Sequence, residues 1–141
     1  MKSFKPILSI LTIAIFTFMA VASGDDAEAA EDVASADAEF KVSAEEILDE
    51  YEANKVSASQ KYGSKVIEIT GILESTELDM FTDKPYLMIG KGDDYDIRNI
   101  RADLAEGVDV SGVQAGSSVT VKGKVDDNSV YDVGLAGCII K

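Results

Sequence analysis

The side chains able to do chemistry in this chain are carboxylates, a handful of aromatics and arginines, because histidine is absent and cysteine occurs once. Without histidine no side chain titrates near neutrality unaided, which removes every His-dependent nucleophilic triad and most zinc sites. Cys138 has no histidine to activate it. It lies in Leu135-Ala136-Gly137-Cys138-Ile139-Ile140, an apolar C-terminal run, and a thiol buried in such surroundings is inert. An exposed sulfur would instead leave an intermolecular disulfide open. No glycine-rich loop of Walker or dinucleotide spacing is present. An enzyme is therefore not expected, and neither is a cofactor.

Carboxylates are the abundant group. Asp93-Asp94-Tyr95-Asp96, and Asp126-Asp127-Asn128 with Asp132, offer hard oxygens of the kind Ca²⁺ takes. Neither stretch has the glycine and distant glutamate of an EF-hand loop, and Asp and Asn are the ordinary residues of turns. Turn chemistry is the expected role, with no metal site.

The chain has 141 residues and a net charge of −13, which bounds it to one domain. Lys2 and Lys5 precede an apolar run from Ile7 to Ala22 that ends in Ala20-Val21-Ala22. A basic start, an apolar middle and an A-x-A ending describe a secretory signal peptide over residues 1–22, and the run is short for a membrane span. A retained N-terminal anchor is the alternative. No cysteine near the end of the run offers a lipid attachment point. Cleavage would leave a periplasmic or secreted protein with no membrane span. Residues 23–40 hold seven acids, six alanines and no Lys or Arg, a composition expected to remain a flexible acidic tether. The folded part, 41–141, carries 19 acids against 11 bases. That surface repels phosphate backbones and favours a cation or a basic partner.

Two stretches share one seven-residue pattern: Ile67-Glu68-Ile69-Thr70-Gly71-Ile72-Leu73 and Val119-Thr120-Val121-Lys122-Gly123-Lys124-Val125. Strict alternation predicts one-sided strands, and an interior glycine predicts a bend or a close backbone approach. Ser43-Ala44-Glu45-Glu46 is a capping box that starts a helix running to about Ala53, with Ala44, Ile47, Leu48 and Tyr51 on its apolar face. A short turn over Val56–Lys61 follows. Strands are expected at Lys65–Ser75, Tyr86–Ile89, Tyr95–Arg101, Ser118–Val125 and Val130–Lys141, with a helical turn possible at Leu104-Ala105-Glu106. The fold class is all-β with an N-terminal helix: a five-stranded OB-fold Greek-key barrel.

Several motifs carry a closer likeness. They are Ser43-Ala44-Glu45-Glu46-Ile47-Leu48, Tyr51-Glu52-Ala53-Asn54, Lys61-Tyr62-Gly63-Ser64-Lys65-Val66, Ile69-Thr70-Gly71, Gly116 to Gly123 and Gly137-Cys138-Ile139-Ile140. Over about residues 43–140 the chain resembles the tRNA_anti-like family, small and often exported bacterial OB-fold proteins. The family is called after the anticodon-binding OB domains of tRNA synthetases. Many members look like lipoproteins with a cysteine closing the signal, which this chain lacks.

OB-folds bind with the face of their second and third strands, framed by the loops joining strands one to two and four to five. Mapped onto this sequence, that surface includes Phe81, Tyr86, Tyr95, Arg98, Arg101, Asn128 and Tyr131. Aromatics beside arginines suit stacking on bases. The plainer expectation is that Phe81 and Tyr86 cover the barrel end while the arginines pair with nearby acids. The expected function is a non-catalytic extracytoplasmic binding module for a protein, peptide or small ligand. A single-stranded nucleic-acid binder is the alternative, and the net charge counts against it.

Overall fold

The computed structural model describes residues 33–141, so the expected signal peptide at 1–22 and the first part of the acidic stretch lie outside the described residues. Strand β1 (Phe40–Ser43) leads into helix α1 (Ala44–Ala53), helix α2 (Lys55–Tyr62) and strands β2 (Val66–Leu78), β3 (Pro85–Gly90), β4 (Ile100–Leu104), β5 (Ser118–Val125) and β6 (Val133–Ile140). Around the sheet the order is β1-β2-β3-β4-β6-β5, and β5 pairs again with β2. That last pairing closes β2 to β6 into a five-stranded barrel, the OB-like architecture expected.

The two copies of the seven-residue pattern pair with each other. Antiparallel β2 and β5 set Ile67 opposite Gly123, Ile69 opposite Val121, and Gly71 opposite Val119. Each glycine therefore faces the leading apolar residue of the other copy. A Cβ on Gly71 would lie 2.6 Å from Ile89 Cγ2 and 2.7 Å from Ala44 Cβ, and one on Gly123 would overlap Cys138 Sγ. Both glycines are sites of close approach. Just beyond Gly71, β2 leaves β5 and continues along β3, with a register shift between Leu73 and Ser75. A second shift, between Lys122 and Lys124, brackets Gly123 on the β6 side. One strand thus serves both halves of the barrel.

The interior takes Ile67, Ile69 and Leu73 from β2, Leu87 and Ile89 from β3, Ile100 and Ala102 from β4, Val121 from β5, and Leu135 and Cys138 from β6. Each fully buried Leu or Ile stabilises the fold by roughly 1.5–3 kcal/mol relative to exposure. Cys138 is completely buried, as its apolar run predicts, and burial pushes its thiol far above the ordinary value. Helix α1 packs Ala44, Ile47, Leu48 and Tyr51 onto this core. Ser43 Oγ accepts from the Glu46 amide at 3.1 Å and caps the helix. Asn54 ends α1 and starts α2, its Oδ1 accepting from the Ser57 amide at 3.0 Å.

Four expectations need correction. The strand expected from Tyr95 begins at Ile100, because carboxylates take the amides a ladder would use. Asp93 Oδ1 accepts from the Tyr95 amide and Asp96 Oδ1 from the Arg98 amide, both at 3.0 Å. The last strand starts at Val133, not Val130, for the same reason: Ser129 Oγ holds the Tyr131 amide. Leu104 is the end of β4, in register with Cys138, and no helical turn forms at 104–106. Finally, the expected flexible tether does not extend over residues 33–40. Phe40 opens β1, parallel to β2, and the Glu39 amide bonds the Val66 carbonyl at 2.9 Å. Val33 is buried, and Lys122 Nζ donates to the Ala34 and Ala36 carbonyls at 3.2 and 2.8 Å. A buried ammonium needs such acceptors, and the acidic composition gave no sign of them.

Candidate binding face

Alternation on β3 and β4 divides their side chains between core and solvent. Leu87, Ile89, Ile100 and Ala102 point inward. Tyr86 stands opposite Asp103 and Met88 opposite Arg101 on the outer face, with Ser75 and Glu77 of β2 alongside in the same register. Two connections border this face. The loop 79–84 joins β2 to β3, and the loop 126–132 joins β5 to β6.

Arg101 is the hub. Its guanidinium carbon lies 3.9 Å from the centre of the Tyr86 ring and 5.5 Å from that of Tyr131, a cation between two aromatic faces. Nε donates to Asp103 at 2.8 Å and Nη2 to Asp79 at 2.7 Å. Asp79 also accepts from the Phe81 and Thr82 amides, so one carboxylate ties the loop's backbone to the face. The Arg101 hydrogen bond, helped by those two amides, lowers the Asp79 carboxyl to about 2. The Tyr86 hydroxyl donates to Glu77 Oε2 at 2.6 Å, and Glu77 accepts from Ser75 Oγ at 2.9 Å. Bonding to that carboxylate pushes the Tyr86 phenol up to about 12.

The seven residues expected at the site are thus separated in part. Tyr86, Arg101 and Tyr131 come together. Tyr86 is only 8% exposed, its ring covered by the guanidinium. Phe81 does not cover the barrel end as expected: it is 88% exposed, projecting from the loop that Asp79 holds. Tyr95, also fully exposed, sits in the connection beyond Gly90, at the opposite end of the β3–β4 hairpin from Phe81. Arg98 is turned toward α1. It pairs with Asp49 at 2.9 Å and with Glu52, and its other partner is Asp96. Asn128 is a turn residue whose amide donates to Asp126 Oδ1. Lys91, the third cation near the face, bonds Asp96 at 3.1 Å. Both arginines pair with nearby acids, the arrangement the sequence led us to expect.

Sequence reasoning missed Asp79, Glu77 and Asp103 as partners of these residues. The spacing Tyr86-x-Met88 and Arg101-x-Asp103 was the available signal, since period-two neighbours share a face. Beside the face, a groove of about 550 Å³ runs between the loop 79–84, the end of β4 with the residues after it, and Ala136-Gly137 of β6. Among the described residues no cluster of three or more His, Cys, Asp or Glu has the arrangement of a metal site.

The profile of the tRNA_anti-like family matches residues 1–139, nearly the whole chain. The chain belongs to that family. Among solved structures, this tRNA_anti-like protein is similar to a lipoprotein of Klebsiella pneumoniae with a proposed nucleic acid-binding role. The two share 18% identity and a TM-score of 0.59, over 84% of this chain and 98% of that one. At that identity the likeness concerns the fold alone. No curated protein matches the tRNA_anti-like chain. Among its described residues no helix is long and apolar enough to cross a membrane.

Proposed function

We propose that this tRNA_anti-like protein is a non-catalytic, extracytoplasmic OB-fold module that binds a protein, peptide or small ligand. One observation carries the reading: the arginines of the β3–β4 hairpin are already engaged by carboxylates, Arg101 on the face by Asp79 and Asp103, and Arg98 in the connection by Asp49 and Asp96. A phosphate backbone would have to displace those acids before releasing any counterion of its own, against a net charge of −13. The Tyr86–Arg101–Tyr131 stack supports the second reading, a single-strand binder, because stacked aromatics and guanidinium are what unpaired bases seek.

Fluorescence anisotropy with single-stranded RNA and DNA at about 0.15 M salt separates the two. We expect no saturable binding below the millimolar range. Micromolar binding that Arg101→Ala abolishes would put the nucleic-acid reading first. Export rests on the basic start, apolar run and Ala20-Val21-Ala22. Mass spectrometry of the native protein is expected to find Ser23 at its N-terminus, and intact full-length protein in the cytosol would end that part of the reading.

A further inference from the structure

The loop 79–84 presents large apolar side chains to water while being held firmly in place. Met80 is 83% and Phe81 88% exposed, although the Asp79 carboxylate bonds the Phe81 and Thr82 amides and Arg101, and the Asp83 amide bonds the Asp79 carbonyl at 2.8 Å. Those bonds set the course of the loop's backbone, from which both side chains project into solvent. Through Asp79, Thr82, Asp83 and Lys84 the same loop forms one wall of the groove of about 550 Å³, and Met80 and Phe81 lie outside that lining, between Asp79 and Thr82 in the chain.

That groove is acidic. Four carboxylates, Asp79, Asp83, Asp103 and Glu106, line it with two cations, Lys84 and Arg101. Asp79 and Asp103 pair with Arg101. Asp83 of the loop and Glu106 beyond β4 have no ion-pair partner among the described residues and are both exposed. The β6 part of the lining includes Gly137, which falls out of register with both β4 and β5 and so leaves a peptide unit outside either ladder.

We propose that this groove takes an extended basic segment of a partner protein, its Lys or Arg side chains between Asp83 and Glu106 and an apolar side chain against the Met80–Phe81 lip. The inference rests on the binding-module reading and gives that module a partner class. Charge selects the occupant. The four carboxylates of the lining outnumber its two cations, and that excess attracts cationic side chains and repels an acidic or phosphorylated ligand. The apolar lip adds the contact that charge alone lacks, since exposed ion pairs contribute little.

The test is anisotropy with a short fluorescein-labelled peptide alternating Lys and Leu, and a matched Glu/Leu peptide, at about 0.15 M salt. The protein is expected to bind the Lys/Leu peptide saturably and the Glu/Leu peptide not at all. Asp83→Asn with Glu106→Gln is expected to weaken binding about tenfold, and Phe81→Ser by a similar factor. Asp93→Asn with Asp94→Asn removes the same charge at the far end of the β3–β4 hairpin and is expected to leave affinity unchanged. All the substituted side chains are exposed, so melting temperatures should not fall below the parent's, which excludes unfolding. Equal affinity in every variant, or equal binding of the Glu/Leu peptide, overturns the groove proposal and leaves the module reading intact. Self-association that Phe81→Ser abolishes also overturns it, by assigning the lip to a second copy. Displacement of the Lys/Leu peptide by single-stranded RNA overturns both.

Discussion

Asp79 accepts three hydrogen bonds at once, from the Phe81 amide at 2.9 Å, the Thr82 amide at 3.1 Å and Arg101 at 2.7 Å. All three favour the ionised form, which lowers the carboxyl from 3.8 to about 2 in the folded protein. A depressed carboxylate stabilises the fold fully above its unfolded pKa, and that contribution disappears as pH falls through the folded one. The window here runs from about pH 4 down to about pH 2. Asp79→Asn keeps an acceptor for the turn but removes the charge that Arg101 needs. We expect its denaturation midpoint to fall less steeply than the parent's across that window, measured by circular dichroism in urea at stepped pH. Parallel curves for the two proteins would show that Arg101 and the loop do not depend on the Asp79 charge.

At the scale of elements, the two paired strands that carry the repeated pattern are the main organising feature of the barrel. Gly71 touches Ile89 and Ala44, while Gly123 lies against Cys138 and Leu135. A side chain at either point must displace packed core, so Gly71→Val and Gly123→Val should each destabilise by about 1–3 kcal/mol. Gly123→Ala offers a sharper form of the test. Its Cβ meets Cys138 Sγ first and Leu135 Cβ next, at 3.1 Å, so Cys138→Ala should recover part of the loss. Unchanged urea midpoints in both valine variants, or strict additivity of Gly123→Ala with Cys138→Ala, would count against close packing there. The pattern that shows these strands is legible in the sequence because alternation and glycine report local geometry. So are the capping residue Ser43 and the buried Cys138. What the sequence concealed depends on partners far along the chain. Strand β1 exists because Phe40–Ser43 lies alongside Ile67–Thr70, and Lys122 is buried because residues 34 and 36 supply carbonyls 86 or more positions away. The binding face divides in the same way. Tyr86 and Arg101 were recognisable by type, but Asp79 in a polar loop gave no sign that it would bind Arg101, 22 residues on.

Considered as a whole molecule, the protein has twice as many acids as bases, 26 against 13, and long-range repulsion should outweigh its local pairings. Exposed ion pairs typically contribute about 0–1 kcal/mol each, and salt weakens them. Repulsion among the remaining acids acts over larger distances and is screened once the Debye length shrinks to about 8 Å near 0.15 M salt. The two effects have opposite signs. If repulsion dominates, the melting temperature rises from low to about 0.5 M NaCl; if the pairings of Arg98, Arg101 and Lys91 dominate, it falls. We expect a rise. The same experiment weighs the acidic turns, where Asp93, Asp96 and Asp126 are bonded to backbone amides two residues on. Carboxylates used in this way have fewer oxygens left for a cation than Ca²⁺ requires. CaCl₂ at matched ionic strength should therefore shift the melting temperature no further than NaCl does. An additional, saturable shift that Asp93→Asn or Asp126→Asn removes would show that these turns hold the metal after all.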